Sequence, residues 1–248
     1  MQMNSATGKQ ILALVRDGNY AHPGEEQAIE LALAPHSRKW ERKILDLGCG
    51  LGGTADYVRR NGWGAVTGVD IDGATLAAAA QNYKEINFVR ADAGSIAGLW
   101  QQEFDLIYLF NSFYAFPDQS RALRQMSQAA RPAASLVIFE YTDLDGSFQD
   151  QVAKDSSWWT PINLVRFPDQ LKEAGWQLDK VYDLSDQYLL WYRQLCGRIE
   201  SKQAEIVSRF GPEWYDYTHA TYFDLLSLVE RKIVGGAIIR AHRSAELS

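Results

Sequence analysis

Short apolar runs alternate with longer amphipathic stretches through the first 141 of 248 residues. The runs Lys43 to Leu47, Ala65 to Ile71, Ile86 to Ala91, Phe104 to Phe110 and Ser135 to Tyr141 read as buried strands. Thr54 to Asn61, Gly73 to Tyr83 and Pro117 to Ala130 between them carry helical spacing. Strands that alternate with helices of this length form parallel βαβ units with right-handed crossovers, so an α/β, doubly wound, mostly parallel sheet of seven strands is expected. After Tyr141 the rhythm changes. Residues 142–166 read as a polar insertion without strand alternation, Phe167 to Ala174 as a helix and Trp176 to Tyr182 as a strand. Gln187 to Ile233 reads as helix interrupted at Gly211-Pro212, and Gly236 to His242 as a closing edge strand.

One domain is therefore expected. Residues 1–35 form an N-terminal helical cover, 36–141 the core, 142–166 and 184–234 a lid or cap inserted before the last strand, and 235–248 the closing strand and tail. The N-terminus lacks the basic, apolar and small-residue order of a secretory signal, and no window approaches the ~20 apolar residues of a spanning helix, so a cytoplasmic protein without membrane partners is expected. A net charge of −6 without a lysine/arginine block argues against nucleic acid. Cys49 and Cys196 are too few for a disulfide framework and have no metal spacing, so two free thiols and no metal are expected.

The densest chemistry lies in Ile44-Leu-Asp-Leu-Gly48-Cys-Gly50-Leu-Gly52-Gly53, a strand running through glycines into a helix. Glycines there let backbone N–H groups approach a ligand. The spacing Gly48, Gly50, Gly53 also satisfies the dinucleotide pattern. Asp46 separates the two readings, because a carboxylate at the mouth of that strand repels a pyrophosphate and suits an ammonium. Asp70, ending the second strand, suits two ribose hydroxyls, and Asp92 follows the third strand as a ligand residue or a helix cap.

On Asp46, Gly48, Gly50 and Gly52 the chain resembles the class I S-adenosylmethionine-dependent methyltransferases, whose first motif is an acid followed by GxGxG. The resemblance implies S-adenosylmethionine as cofactor and S-adenosylhomocysteine as product. It implies that the loop, with Cys49, cradles the methionine portion near Asp46, that Asp70 takes the ribose, and that Ile71, Asp92 and Ala93 hold the adenine. Phe167 to Trp176 resembles small-molecule members, and Gly235 to Arg243 the closing strand of enzymes that methylate glycine and its N-methyl derivatives. Pro132-Ala-Ala134 departs from the usual Pro-Gly-Gly.

A small-molecule acceptor, most simply an amine, is then expected beyond the ends of the fourth and fifth strands, near Asn111, Tyr114, Glu140 and Tyr141. Asn111 is a candidate for the cofactor or the reaction, and His22 and Glu140 for proton transfer. Tyr20, Tyr114, Trp158, Trp159, Trp191 and Tyr192 are candidate acceptor contacts, since aromatic faces attract ammonium groups. The family's histidine after the fourth strand is replaced by Ala115-Phe116. Two rivals stand beside this reading: an NAD(P)-dependent oxidoreductase, and a cofactor-binding regulatory protein without transfer activity. The chain is expected as a monomer or homodimer.

Overall fold

The computed structural model describes residues 1–148 and 159–244. Strands β1 (Lys43–Leu47), β2 (Ala65–Asp70), β3 (Asn87–Arg90), β4 (Phe104–Phe110) and β5 (Ala130–Asp143) pair in parallel. With β6 (Ile162–Asn163), β7 (Trp176–Asp183) and β8 (Gly235–Arg243) they form a sheet in the order β3-β2-β1-β4-β5-β8-β7, with β6 paired to the end of β5. The doubly wound, mostly parallel architecture is the expected one. Chain order reverses between β1 and β4, and a crevice opens there beyond the carboxyl ends of the strands.

Both faces of the sheet are covered at its centre, which is why β4 and the body of β5 are nearly continuous apolar runs, whereas β3 and β7 at the edges carry exposed polar residues. Ile44, Leu106, Tyr108 and Phe110 pack on one face with α1 (Ala6–Val15), α2 (Glu25–Leu33), α3 (Gly53–Arg60) and α7 (Ser185–Ser201). Their neighbours Leu45, Ile107 and Leu109 pack on the other with α5 (Gln119–Ala129) and α6 (Phe167–Glu173). α4 (Gly73–Asn82) connects β2 to β3. α8 (Gln203–Phe210) and α9 (Pro212–Glu230) complete the helical insertion before β8, and α9 packs along α7.

Three expectations need correction. β8 is not an edge strand, because it pairs antiparallel with β5 on one side and β7 on the other. A single chain's last strand gives no sign of which partners flank it. The insertion after Tyr141 is also not free of sheet, since β5 runs on to Asp143 and Thr142 and Asp143 pair with Ile162 and Asn163. The helical insertion breaks at Lys202 as well as at Gly211, giving three described helices. Ala133, where the resembled family has glycine, adopts φ 59°, so the turn survives at a cost of roughly 1–2 kcal/mol for a left-handed alanine.

Candidate active site

β1 ends in a turn whose backbone only glycine adopts easily. Gly48 has φ 84°, and a Cβ there would lie 2.4 Å from the Ser112 Cβ; Gly52 has φ 83° and caps α3. The loop is tied to β2: Gly48 and Cys49 donate their N–H groups to Val69 O, and Gly50 N–H donates to Asp70 Oδ2 at 3.0 Å. Asp70 Oδ1 accepts from Asp72 N–H at 3.0 Å, and Lys9 Nζ from α1 also reaches Oδ2 at 3.0 Å. The Asp70 carboxylate thus joins the glycine loop, its own strand end and the N-terminal helix.

A cavity of about 390 Å³ lies over this rim. Of the expected cofactor residues, Gly48, Gly50, Asp70, Ile71, Asp92, Ala93 and Asn111 line it. Asp92 is also the cap of the turn that follows, accepting from Gly94 N–H at 2.6 Å, so both of its readings describe the same carboxylate. Asp46 and Cys49 lie in an adjoining pocket of about 20 Å³, which shares Gly48, Lys9, Ala21 and Phe110 with the larger cavity. That volume admits a group the size of an ammonium. Gly52 lines neither; its αL turn against Phe88 shapes the loop from behind.

Asp46 is buried, accepts from Tyr108 Oη at 3.2 Å and faces the charge of Asp70. Burial first, and Asp70 second, push its carboxyl up to about 8. A cation placed beside it would relieve both. His22 lines the same small pocket, but burial holds its imidazole down at about 3. Nδ1 faces Pro23 O at 3.2 Å and Nε2 faces Thr54 Oγ1 at 2.9 Å, so the neutral ring donates to the carbonyl and accepts from the hydroxyl. Such a ring is too weak a base for an ammonium at neutral pH. Tyr20 closes the pocket and donates to Glu26 Oε1.

Beyond Phe110, which both spaces share, the cavity wall is aromatic, with Tyr114, Tyr141 and Tyr222. Tyr114 and Tyr141 lie edge to face, 5.4 Å between centroids, and Trp159 packs edge-on behind both. Tyr192 backs Tyr141, hydroxyl to hydroxyl. Trp191 turns away toward Gln27 and the Gly24 turn, and Trp158 lies outside the described residues.

Glu140 points to the opposite side of β5 from Tyr141, as strand pleating requires. It is fully buried and accepts from Tyr114 N–H at 3.1 Å, Tyr141 N–H at 2.8 Å and Asn111 Nδ2 at 3.3 Å. Burial pushes its carboxyl up to about 8 against those bonds. It therefore anchors the turn that carries Tyr114 and does not line the cavity. Asn111, at φ 47°, links Glu140 to Tyr188, whose hydroxyl donates to Asn111 Oδ1 at 3.2 Å.

Lys9 and Tyr222 are the main cavity residues that sequence reasoning missed. Lys9 stands at i, i+3 with Leu12 on the inner face of α1, a spacing that marks a packed face but not what it meets. Tyr222 is one of many tyrosines in the insertion, and nothing in the sequence sets it apart.

Residues 45–138 match the family described as the methyltransferase domain. Over those residues the chain is similar to methyltransferase domains. Over 181 residues the chain is 24% identical to a phosphoethanolamine N-methyltransferase of Triticum aestivum, covering 71% of this chain and 36% of that protein. A glycine/sarcosine/dimethylglycine N-methyltransferase of Actinopolyspora halophila is likewise 24% identical, over 70% of this chain and 32% of its own length. The chain thus spans about a third of these two relatives.

Solved structures share the fold of the methyltransferase domain and its insertion. The [4+2]-cyclase SpnF superimposes with a TM-score of 0.83 at 19% identity, over 97% of this chain and 94% of its own. Haemonchus contortus phosphoethanolamine N-methyltransferase 2, in complex with phosphomonomethylethanolamine and S-adenosylhomocysteine, gives 0.83 at 19% identity, over 98% and 58%. Among the described residues no histidine, cysteine and carboxylate cluster gathers to hold a metal, and no helix is long and apolar enough to cross a membrane.

Proposed function

We propose that the chain transfers a methyl group from S-adenosylmethionine to a nitrogen of a small amine, releasing S-adenosylhomocysteine. The observation that carries this reading is the convergence of Asp46, Asp70 and Asp92 with the glycine loop around two adjoining spaces that share Gly48 and Lys9, the larger of them walled in part by aromatic rings. Asp46 would give up its proton and hold the cofactor's ammonium in the small pocket. Asp70 would exchange the Lys9 ammonium for ribose hydroxyls, and Ile71, Asp92 and Ala93 would receive the adenine. Amine-methylating relatives support the choice of nitrogen.

The cofactor supplies an activated methyl on a sulfonium that leaves as a neutral thioether. What remains for the protein is alignment and removal of water, which contribute at most about 7–11 kcal/mol. Tyr114, Tyr141 and Tyr222 suit that task, since their faces exclude solvent and attract, by roughly 0.5–2 kcal/mol, the positive charge that the nitrogen gains as the methyl is transferred. Neither His22 nor Glu140 contributes a base at the cavity wall, so the amine is taken up in its unprotonated form.

The test is calorimetric titration with S-adenosylhomocysteine, followed by transfer of labelled methyl to a panel of amines with phenols and carboxylic acids as controls. Labelled amine is the expected product. A specific observation favours a second reading, because the similar fold of a cyclase shows that this architecture is not confined to one reaction. Binding without transfer to any class would favour that alternative, a cofactor-binding protein without methyl transfer. Absence of binding would remove both.

A further inference from the structure

Lys9, Leu12 and Arg16 stand at i, i+3 and i+7 along α1 and its cap, and so share one face of the helix. Lys9 and Leu12 line the cavity, and Arg16 continues that face one turn deeper. Its side chain is 1% exposed. Nη1 donates to Glu25 Oε1 at 2.7 Å, whereas Nε and Nη2 are buried with no acceptor. Those two nitrogens share one edge of the guanidinium, the edge that grips both oxygens of a carboxylate or phosphate.

Arg16 lies behind the cavity lining, and its charge reaches the aromatic end. The Arg16 charge acts on the hydroxyls of Tyr188, Tyr192 and Tyr222, opposing the burial that raises all three. Tyr222 is in the cavity wall and stacks on Tyr192 at 6.3 Å. Tyr192 in turn meets the hydroxyl of Tyr141, also in the wall. Glu25 does not bar a second anion, because Arg198 Nη2 also holds it, at 2.9 Å. A buried guanidinium edge without acceptors is unfavourable, and a bound anion offsets that cost.

We propose that Arg16 receives an anionic group of the methyl acceptor, a carboxylate or a phosphate, beneath Tyr222, so that the acceptor is an amine and an anion in one molecule. This rests on the methyltransferase reading above. The cavity then has a cation at each end of one helical face: Lys9 answers the acid that takes the cofactor's ribose, and Arg16 answers the acceptor.

The test uses the full chain saturated with S-adenosylhomocysteine, titrated with inorganic phosphate or acetate at constant ionic strength. Saturable binding is expected, weakened about tenfold or more in Arg16→Lys, which keeps the charge and loses the fork, with S-adenosylhomocysteine affinity little changed. Phosphate without acetate points to a phosphorylated amine; acetate points to an amino acid. If neither ion binds while S-adenosylhomocysteine does, or if Arg16→Lys binds them as the wild type does, the inference is overturned. Should Arg16→Lys fail to fold, the Arg16 Nε–H resonance of the wild type decides: a saturable shift supports the inference and an unmoved signal ends it. Failure of S-adenosylhomocysteine itself to bind removes the methyltransferase reading, and this inference with it.

Discussion

The two ends of the central cavity are built on opposite plans. At one end three carboxylates and a glycine turn sit where consecutive strands β1, β2 and β3 finish, and each acid is held by backbone N–H groups or a neighbour's hydroxyl. At the other, Tyr114, Tyr141 and Tyr222 come from a loop, a strand and a helix more distant in the chain, and their rings are fixed by one another. The first end fixes charge at set points. The second offers a shaped aromatic surface, which adapts when the packing behind it changes.

If that division is right, substitutions should separate cleanly between the ends. The largest effect belongs to Asp70→Ala, which removes the acceptor of three hydrogen bonds and the carboxylate proposed to meet the ribose. S-adenosylhomocysteine affinity should fall by about 30-fold or more, as expected for losing hydrogen bonds to a charged group. Unchanged calorimetric affinity would break the assignment of this end.

Next comes the proton at Asp46. Its carboxyl is raised from 3.8 to about 8, so in the free protein its share of stability is fully present below 3.8 and is lost as the pH rises through about 8. A bound ammonium reverses the preference and favours the charged form. Affinity for S-adenosylhomocysteine should therefore weaken as the pH falls below 8, by up to about tenfold per unit, with release of about one proton near pH 7. Calorimetry in buffers of different ionisation enthalpy counts that proton. Asp46→Asn should abolish the release; a wild type that releases none contradicts the placement of the ammonium.

The contrast between the ends also explains what the sequence could disclose. Asp46, Asp70 and Asp92 were legible because each follows an apolar run that can only be a buried strand, and the pleat and crossover rules then carry all three to one rim. The insertion obeys no such rule. Trp159, Trp191, Tyr192 and Tyr222 look alike in the sequence, yet only Tyr222 among them reaches the cavity. Which ring faces the space depends on how α7 and α9 pack over the sheet, and that is set by long-range contacts. Lys9 and Arg16 were illegible for the same reason: a helical face announces that it packs, without naming its partner.

Tyr222→Leu sharpens the contrast from the aromatic side. Losing one ring from the wall should lower kcat/KM for the amine about fivefold, within the range of a cation–π contact to the nitrogen as it gains charge, and leave S-adenosylhomocysteine affinity unchanged. A comparable loss of cofactor affinity would show that the two ends are not separable.

The smallest effect concerns His22, which lies against the charged end yet behaves as part of the core. Its ring packs at 4.8 Å from Phe110 and 5.8 Å from Phe139, and burial holds it down at about 3 from 6.5. The stabilisation tied to its neutral form is fully present above pH 6.5 and is lost as the pH falls through about 3. Between pH 8 and 5, then, the His22 ring resonances should not titrate, and kcat should show no step attributable to an imidazole. A His22 signal moving near pH 6.5 would mean that the ring is open to solvent and free to take a proton from the acceptor, and that the site uses a base where the geometry assigns only alignment.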